Sequence, residues 1–390
     1  MSATVDSRPV LYDPTRPDFG ERRIAVYREM RDDHPVYIDP HGGFVALTRF
    51  EDVRAASLDW ETFSSALKVE ARHQKPSIAG MDPPRHSQLR AVLSRGFTTK
   101  RVQDLEEQVR VVARDLIGQF RGRGHCDLVA EFASLLPSTV FGALIGIPSE
   151  LIPEMRELTD QVMRKTTPSG AMQATLQCYE MFEPLVELRR RSPANDLMTA
   201  LLEAEADGRR LTEDEVLGFC FLLLVGGNDT TTNLIGNGIE ILGRHAEQRD
   251  RLVADPSLLQ GAIEEMLRVV SPTQSSARHT TRTIELHGVR IPADCRTLLV
   301  WGAANMDERE FDEPDQFDIG RNAPRHLALG YGAHFCLGAA LARLELRVAF
   351  EELLAAMPEF EVNGDTPRVR SSWALGFEAL PLAFKPTTES

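Results

Sequence analysis

The chain has 390 residues, 42% of them hydrophobic, and 44 Lys and Arg against 58 Asp and Glu give a formal net charge of −14. That is ample material for a large core, and the acidic balance argues against non-specific nucleic-acid binding. Residues 1–14 are polar with no apolar signal core, and the longest apolar stretch, 216–225, suits a buried helix and not a membrane span, so a cytoplasmic protein without a membrane anchor is expected.

In chain order, apolar spacing predicts helices over 19–33, 85–93, 102–122, 212–244, 258–270 and 339–357. Short strand-like segments fall at 36–38, 44–47, 283–286, 289–291 and 297–300. The third and fourth flank His287-Gly288, a two-residue turn, and read as a hairpin. Prolines and glycines are spread evenly, with no repeat and no linker-like break. The expected fold is a single mainly α domain, 1–390, with small β-sheets and a long central helix.

Three segments stand out along this frame. The helix predicted over 212–244 opens with Thr212-x-x-Glu215, a capping box, and Asp229 is the one charged residue between Glu215 and Glu240. Around it runs Gly226-Gly227-Asn228-Asp229-Thr230-Thr231-Thr232. Glycines inside a helix cost roughly 1 kcal/mol each against alanine, and threonines there bond carbonyls one turn back, which bends or loosens a helix. Small residues for close helix packing are one explanation; a helix opened over a ligand, with an acid beside an alcohol, is the other. The second segment is Glu264-Glu265-Met266-Leu267-Arg268, where Glu265 and Arg268 can pair at i,i+3 among apolar neighbours. A buried pair of this kind needs further hydrogen-bond partners.

The third segment is Leu329-Gly330-Tyr331-Gly332-Ala333-His334-Phe335-Cys336-Leu337-Gly338, followed at once by a helical pattern. A lone cysteine is most often a small buried hydrophobe. Cys126, Cys178, Cys220 and Cys295 fit that description, lie in no glycine-rich loop, and sit at no metal-ligand or redox spacing. Around Cys336, the glycines would let a large flat ligand approach the backbone, and a thiolate is a strong iron ligand.

Together and in this order, the three motifs resemble those of the cytochrome P-450 superfamily, and the resemblance spans nearly the whole chain. It extends to Asp82-Pro83-Pro84-Arg85-His86-Ser87-Gln88-Leu89-Arg90 and to Ala304-Asn305-Met306-Asp307. It implies that fold, with the central helix lying over haem b. It also implies a haem-thiolate monooxygenase in which two electrons and two protons cleave O2. Cys336 would ligate the iron, Gly338 would permit close approach of the macrocycle, and His86, Arg90, Arg278 and His334 would hold its propionates. Asp229 and Thr230 would deliver protons. Arg321 would join Glu265 and Arg268 in a trio that serves folding and haem loading. The family usually carries phenylalanine seven residues before the cysteine; here Leu329 stands there, so packing under the sulfur and the reduction potential are expected to differ.

No flavin or iron–sulfur segment is present, so the resemblance implies a ferredoxin and an NAD(P)H-dependent ferredoxin reductase as electron source. Arg95, Lys100, Arg101, Arg343 and Arg347 are candidates for a docking patch on the cysteine side. The family's substrate-contact regions map to 64–80, 161–182, 222–226, 273–277 and 371–375. From these, Leu222, Gly226, Gln274, Ser275, Trp373 and Ala374 are candidate pocket residues, with Thr166, Thr167, Gln173, Thr273, Ser276 and Ser372 adding polarity. That mixture suggests a hydrophobic, oxygenated substrate such as a terpenoid, steroid, polyketide or fatty acid. The alternatives are a peroxide-dependent haem enzyme of the same fold, a haem-binding sensor without turnover, and a Cys336/His334 thiol hydrolase. The last explains none of the other motifs.

Overall fold

A computed structural model of the chain describes residues 10–66, 74–164, 168–206, 208–321 and 325–386. Its axis is the helix Glu213–Arg244, 32 residues long and about 48 Å from end to end. The capping box forms as the sequence predicts: Glu215 N–H donates to Thr212 Oγ1 at 3.3 Å, and Thr212 N–H donates to Glu215 Oε2 at 2.9 Å. Arg209 adds two bonds to the same carboxylate, and Arg85 reaches it from the helix Arg85–Ser94.

The helices Leu135–Ile145, Leu259–Val270 and Ala339–Ala356 pack on this axis, and glycines set how closely all three approach. A Cβ on Gly227 would meet the Phe141 ring at 2.6 Å, and one on Gly238 would meet Phe350 at 2.5 Å and the Met266 sulfur at 2.9 Å. A Cβ on Gly226 would meet nothing within 4 Å. The two explanations for the glycine pair therefore divide: Gly227 serves packing, while Gly226 faces open space. The helix itself is continuous and not opened there. Thr230, Thr231 and Thr232 each donate to the carbonyl four residues back, at 2.9, 3.4 and 3.0 Å.

Strands are few and short. Val36–Ile38, Val45–Leu47, Arg296–Leu299, Ser276–Thr280 and Phe63–Ser64 form a mixed five-stranded sheet in that order. The expected hairpin is present as Ile284–Leu286 against Val289–Ile291, with φ of 50° at His287 and 74° at Gly288, the two positive values of a type I′ turn. The stretch read as one helix over 102–122 is two, Thr99–Gln103 and Glu106–Gly118, divided where Leu105 N–H turns back to the Val102 carbonyl at 3.1 Å. Among the described residues no helix is long and apolar enough to cross a membrane.

Candidate functional site

Between the central helix and the Cys336 loop lies a cavity of about 240 Å³. Leu222, Leu223, Gly226, Gly227, Thr230 and Thr231 form the wall on the helix side. Leu329, Phe335, Cys336, Leu337 and Gly338 form the opposite wall, and His86, Arg90 and His334 stand at its edge. The loop is held by its own backbone: Cys336 N–H donates to the Leu329 carbonyl at 2.8 Å, and Gly330 and Gly332 take φ of 72° and 68°. The Leu329 carbonyl therefore fixes the turn, while its side chain packs against the main core and lines the cavity. Burial pushes the Cys336 thiol up, and the Gly338 N–H with the charges of Arg90 and Arg343 pulls it down. Neutral surroundings thus favour the thiol, and a cation at the sulfur would be needed to make the thiolate dominant.

The edge groups are two arginines and two histidines, buried or partly buried, and none pairs with a carboxylate among the described residues. The His86 and His334 rings lie 4.4 Å apart. Neither nitrogen of His86 has a partner, nor does His334 Nε2. Burial, reinforced by Arg278, His86 and Arg90, depresses His334 to about 3, against a backbone hydrogen bond to Met81. Arg278 is 8% exposed and bonds the neighbouring Ala277 carbonyl at 2.8 Å. Desolvation lowers it to about 10, and Asp82, whose charge reaches it, is itself bonded to Ser64 and the Ser65 N–H. Buried charges of one sign without a counter-ion are costly unless a ligand brings the opposite charge.

On the helix side, Asp229 is buried and accepts from Asn233 Nδ2 at 2.9 Å, while Thr230 turns its hydroxyl to the Gly226 carbonyl. Sequence reasoning missed Glu345, which also lines the cavity, from the helix Ala339–Ala356. Burial raises its carboxyl to about 8, against a hydrogen bond with Thr231, and its Oε1 has no partner. Its signal was present: Glu345 lies four residues after Leu341 and three before Val348, on the face the period assigns to the core.

Below the loop, Glu265 and Arg268 are fully buried and joined by two bonds of 2.8 Å. Arg321 Nε reaches Glu265 Oε1 at 3.1 Å, and the Arg268 guanidinium also donates to the carbonyls of Asn305, Pro314 and Gln316. The further partners such a pair requires are thus backbone carbonyls from the segment 305–316. A second missed cluster lies nearby. Arg343 grips Glu264 at 2.7 and 2.8 Å, and His326 Nε2 approaches the same carboxylate at 3.0 Å.

Of the candidate pocket residues, Leu222 and Gly226 line the cavity. Gln274 is buried as a structural amide, accepting from Tyr27 Oη at 2.5 Å and donating to the Val270 carbonyl at 2.8 Å. Ser275 and Trp373 line a second cavity beside Tyr12 and Phe44, and Ala374 lines a third, beside Arg368. Thr166 and Thr167 lie outside the described residues.

These groups fit a haem. Gly226 and Gly338 both face open space and bring no side chain into it, which leaves room for a flat macrocycle. Arg90 and Arg278, which pair with no carboxylate among the described residues, and the unpartnered ring nitrogens of His86 and His334 match its two carboxylates. Cys336, on the cavity wall, would hold the iron of such a group through its sulfur. His334 is engaged with Met81 and His86 and does not act on Cys336, which removes the basis for a Cys–His hydrolase.

Comparison with known proteins gives a consistent picture. A family model described as Cytochrome P450 matches residues 163–381. The putative cytochrome P450 123 of Mycobacterium tuberculosis is 37% identical over 98% of this chain and 99% of its own length. The steroid C26-monooxygenase of the same species is 35% identical over 93% of this chain and 94% of its own. Among solved structures, CYP109E1 from Bacillus megaterium in complex with testosterone superposes with a TM-score of 0.89 at 28% identity, covering 94% of this chain and 99% of that one.

Proposed function

The chain belongs to the cytochrome P450 family, and on that premise we propose that it uses O2 and two externally supplied electrons to hydroxylate or epoxidise a hydrophobic, oxygenated small molecule. It is a monooxygenase, an oxidoreductase that incorporates one atom of O2. The observation that carries the reading is the cavity that has Cys336 on one wall, Thr230 on the other and, at its edge, Arg90 with two histidines, three of whose ring nitrogens have no partner among the described residues. Bound there as haem b, the cofactor supplies reductive O2 activation and C–H oxidation.

The chain's own residues do the rest. Cys336 ligates through its sulfur, with the Gly338 N–H and the charge of Arg343 stabilising the thiolate. His86, Arg90, Arg278 and His334 orient the cofactor through its carboxylates. Thr230 and Asp229 move protons on the helix side, and Glu345, neutral at pH 7, holds one against Thr231. Leu222, Leu223, Ile78 and Phe141 exclude water and favour an apolar substrate. The steroid named for one relative and the testosterone held by another favour a steroid or terpenoid within the proposed terpenoid, steroid, polyketide and fatty-acid range.

A ferredoxin with its NAD(P)H-dependent reductase is the proposed electron source. The docking patch narrows to Arg95, Lys100 and Arg101, because Arg343 is paired with Glu264, and Arg347 with Glu106 and Glu351. The five free cysteines support a reducing, cytoplasmic setting. The Asp229–Thr230 pair speaks against peroxide-driven turnover, for which it would be dispensable. The test is turnover of a steroid and terpenoid panel by the haem-loaded protein with a ferredoxin system. Product formed in step with NAD(P)H use supports the reading. Substrate binding without turnover under any donor would identify a sensor, and turnover with peroxide alone would identify the peroxide-dependent enzyme.

A further inference from the structure

Away from the haem cavity, a cleft of about 630 Å³ opens between the start of the helix Phe19–Asp33, the last turns of the central helix and the segment 366–378. Three guanidiniums, those of Arg23, Arg244 and Arg368, lie within electrostatic reach of one another there. Two carboxylates reach them: Glu240, which is paired with Arg244, and the exposed Glu21, the weaker of the two on Arg368. Arg23 bonds backbone carbonyls of Gly20 and Val269, at 2.9 and 3.4 Å, and Arg368 bonds Asn237 Oδ1 at 3.1 Å and stacks over the Phe377 ring. Neither bond supplies charge. Burial lowers Arg23, and lowers Arg368 to about 10, with Arg23 and Arg244 adding to the effect on Arg368. Of the other acids on the cleft, Glu378 is exposed and Asp315 is paired with Arg28. The interior of the cleft therefore holds an excess of positive charge in a chain whose net charge is −14.

We propose that this cleft binds a small dianion of phosphate-ester or inorganic phosphate chemistry, gripped by Arg23 and Arg368. Arginine forks match a tetrahedral oxyanion with paired donors, and the volume admits a small metabolite. The site is connected to the oxygen side of the enzyme. Arg368 bonds Asn237; Asn237 Nδ2 donates to the Asn233 carbonyl at 2.7 Å and to the Leu375 carbonyl at 3.1 Å; Asn233 Nδ2 donates to Asp229. An anion that draws Arg368 away from Asn237 would change what fixes Asp229. Gly20 belongs to the same construction, since a Cβ there would stand 2.5 Å from Arg368 Cδ.

The experiment is calorimetric titration of the haem-loaded protein with inorganic phosphate, and separately with glycerol phosphate, at ionic strength held constant with chloride. Saturable one-to-one binding is expected, weakened at least tenfold in Arg368→Gln and in Arg23→Gln. It should be kept within about threefold in Arg368→Lys and unchanged in Arg290→Gln, a control on an exposed hairpin. Tighter binding of the ester identifies a phosphorylated metabolite as the ligand, and equal binding identifies free phosphate. Absence of saturable binding, or equal binding by Arg368→Gln and Arg290→Gln, overturns the proposal. Unfolding temperature and absorption spectrum of each variant separate loss of the site from loss of the fold.

Discussion

Two clusters of arginine and histidine or carboxylate side chains stand near the Cys336 loop, and they differ in one respect. In the trio, Arg268 and Arg321 meet the Glu265 carboxylate, and backbone carbonyls take up remaining donors. In the quartet of His86, Arg90, Arg278 and His334 no carboxylate is bonded and three histidine nitrogens have no partner among the described residues. Physical chemistry assigns opposite roles to such arrangements. A satisfied buried pair holds the apo-protein together and is damaged by losing either member. An unsatisfied cluster destabilises the apo-protein and becomes favourable once a ligand supplies the missing charge.

Breaking the trio should have the largest effect. Glu265→Ala or Arg268→Ala leaves a buried charge alone and should cost about 3–5 kcal/mol in denaturant unfolding, whether or not haem is present. A loss below 1 kcal/mol would remove the trio's structural role. The quartet should respond the other way. Arg278→Gln should leave apo stability unchanged or raised, while haem affinity falls roughly tenfold to a hundredfold, the worth of one charged hydrogen bond. Equal haem affinity would dissociate the quartet from the propionates.

Across the cavity the contrast can be sharpened by chemistry. Thr230→Ala removes a hydroxyl that bonds only its own helix here, so stability should change by less than about 1 kcal/mol, while NAD(P)H consumption should uncouple from product and release peroxide. Unchanged coupling would end its assignment to proton delivery.

The smallest effect concerns a third satisfied carboxylate. Glu215 is held down to about 2 chiefly by its bond from Arg209, against burial, with help from Thr212 N–H and Arg85. Its folded pKa lies below the usual carboxylate value of about 4.3. Its stabilisation is therefore complete above that value and is lost as pH falls through about 2. Glu215→Gln should flatten the acid limb of the stability curve in that window and leave it parallel to wild type near neutrality.

The same contrast explains what could be read from the chain. Satisfied features announce themselves locally: the capping box needs only Thr212 and Glu215, and the Glu265–Arg268 pair only an i,i+3 spacing. The helix Ala339–Ala356 was legible because Leu337, Leu341, Leu344 and Val348 repeat on one face. Helices buried on several sides, such as Leu135–Ile145, lose that period, and Pro184 masks the helix Pro168–Arg191. Unsatisfied features depend on segments far apart in the chain. The proximity of His86 to His334 is visible only in three dimensions, and from residues alone neither exceeds a core histidine. The family resemblance, and not spacing, pointed to the quartet. Gln274 was assigned to the pocket because the resemblance maps 273–277 to substrate contact, whereas its amide serves Tyr27 and the end of the helix Leu259–Val270.

The central claim is that one cavity holds a haem by the Cys336 sulfur on one side and by the arginines and histidines of the quartet at its edge. Its most direct test is the absorption spectrum of the reduced, CO-bound protein after haem titration, for wild type and Cys336→Ser. The account predicts the strongly red-shifted band of thiolate ligation in wild type and its loss in Cys336→Ser, with haem still retained at the edge. A wild-type spectrum of imidazole type, or a thiolate band that persists in Cys336→Ser, would contradict it.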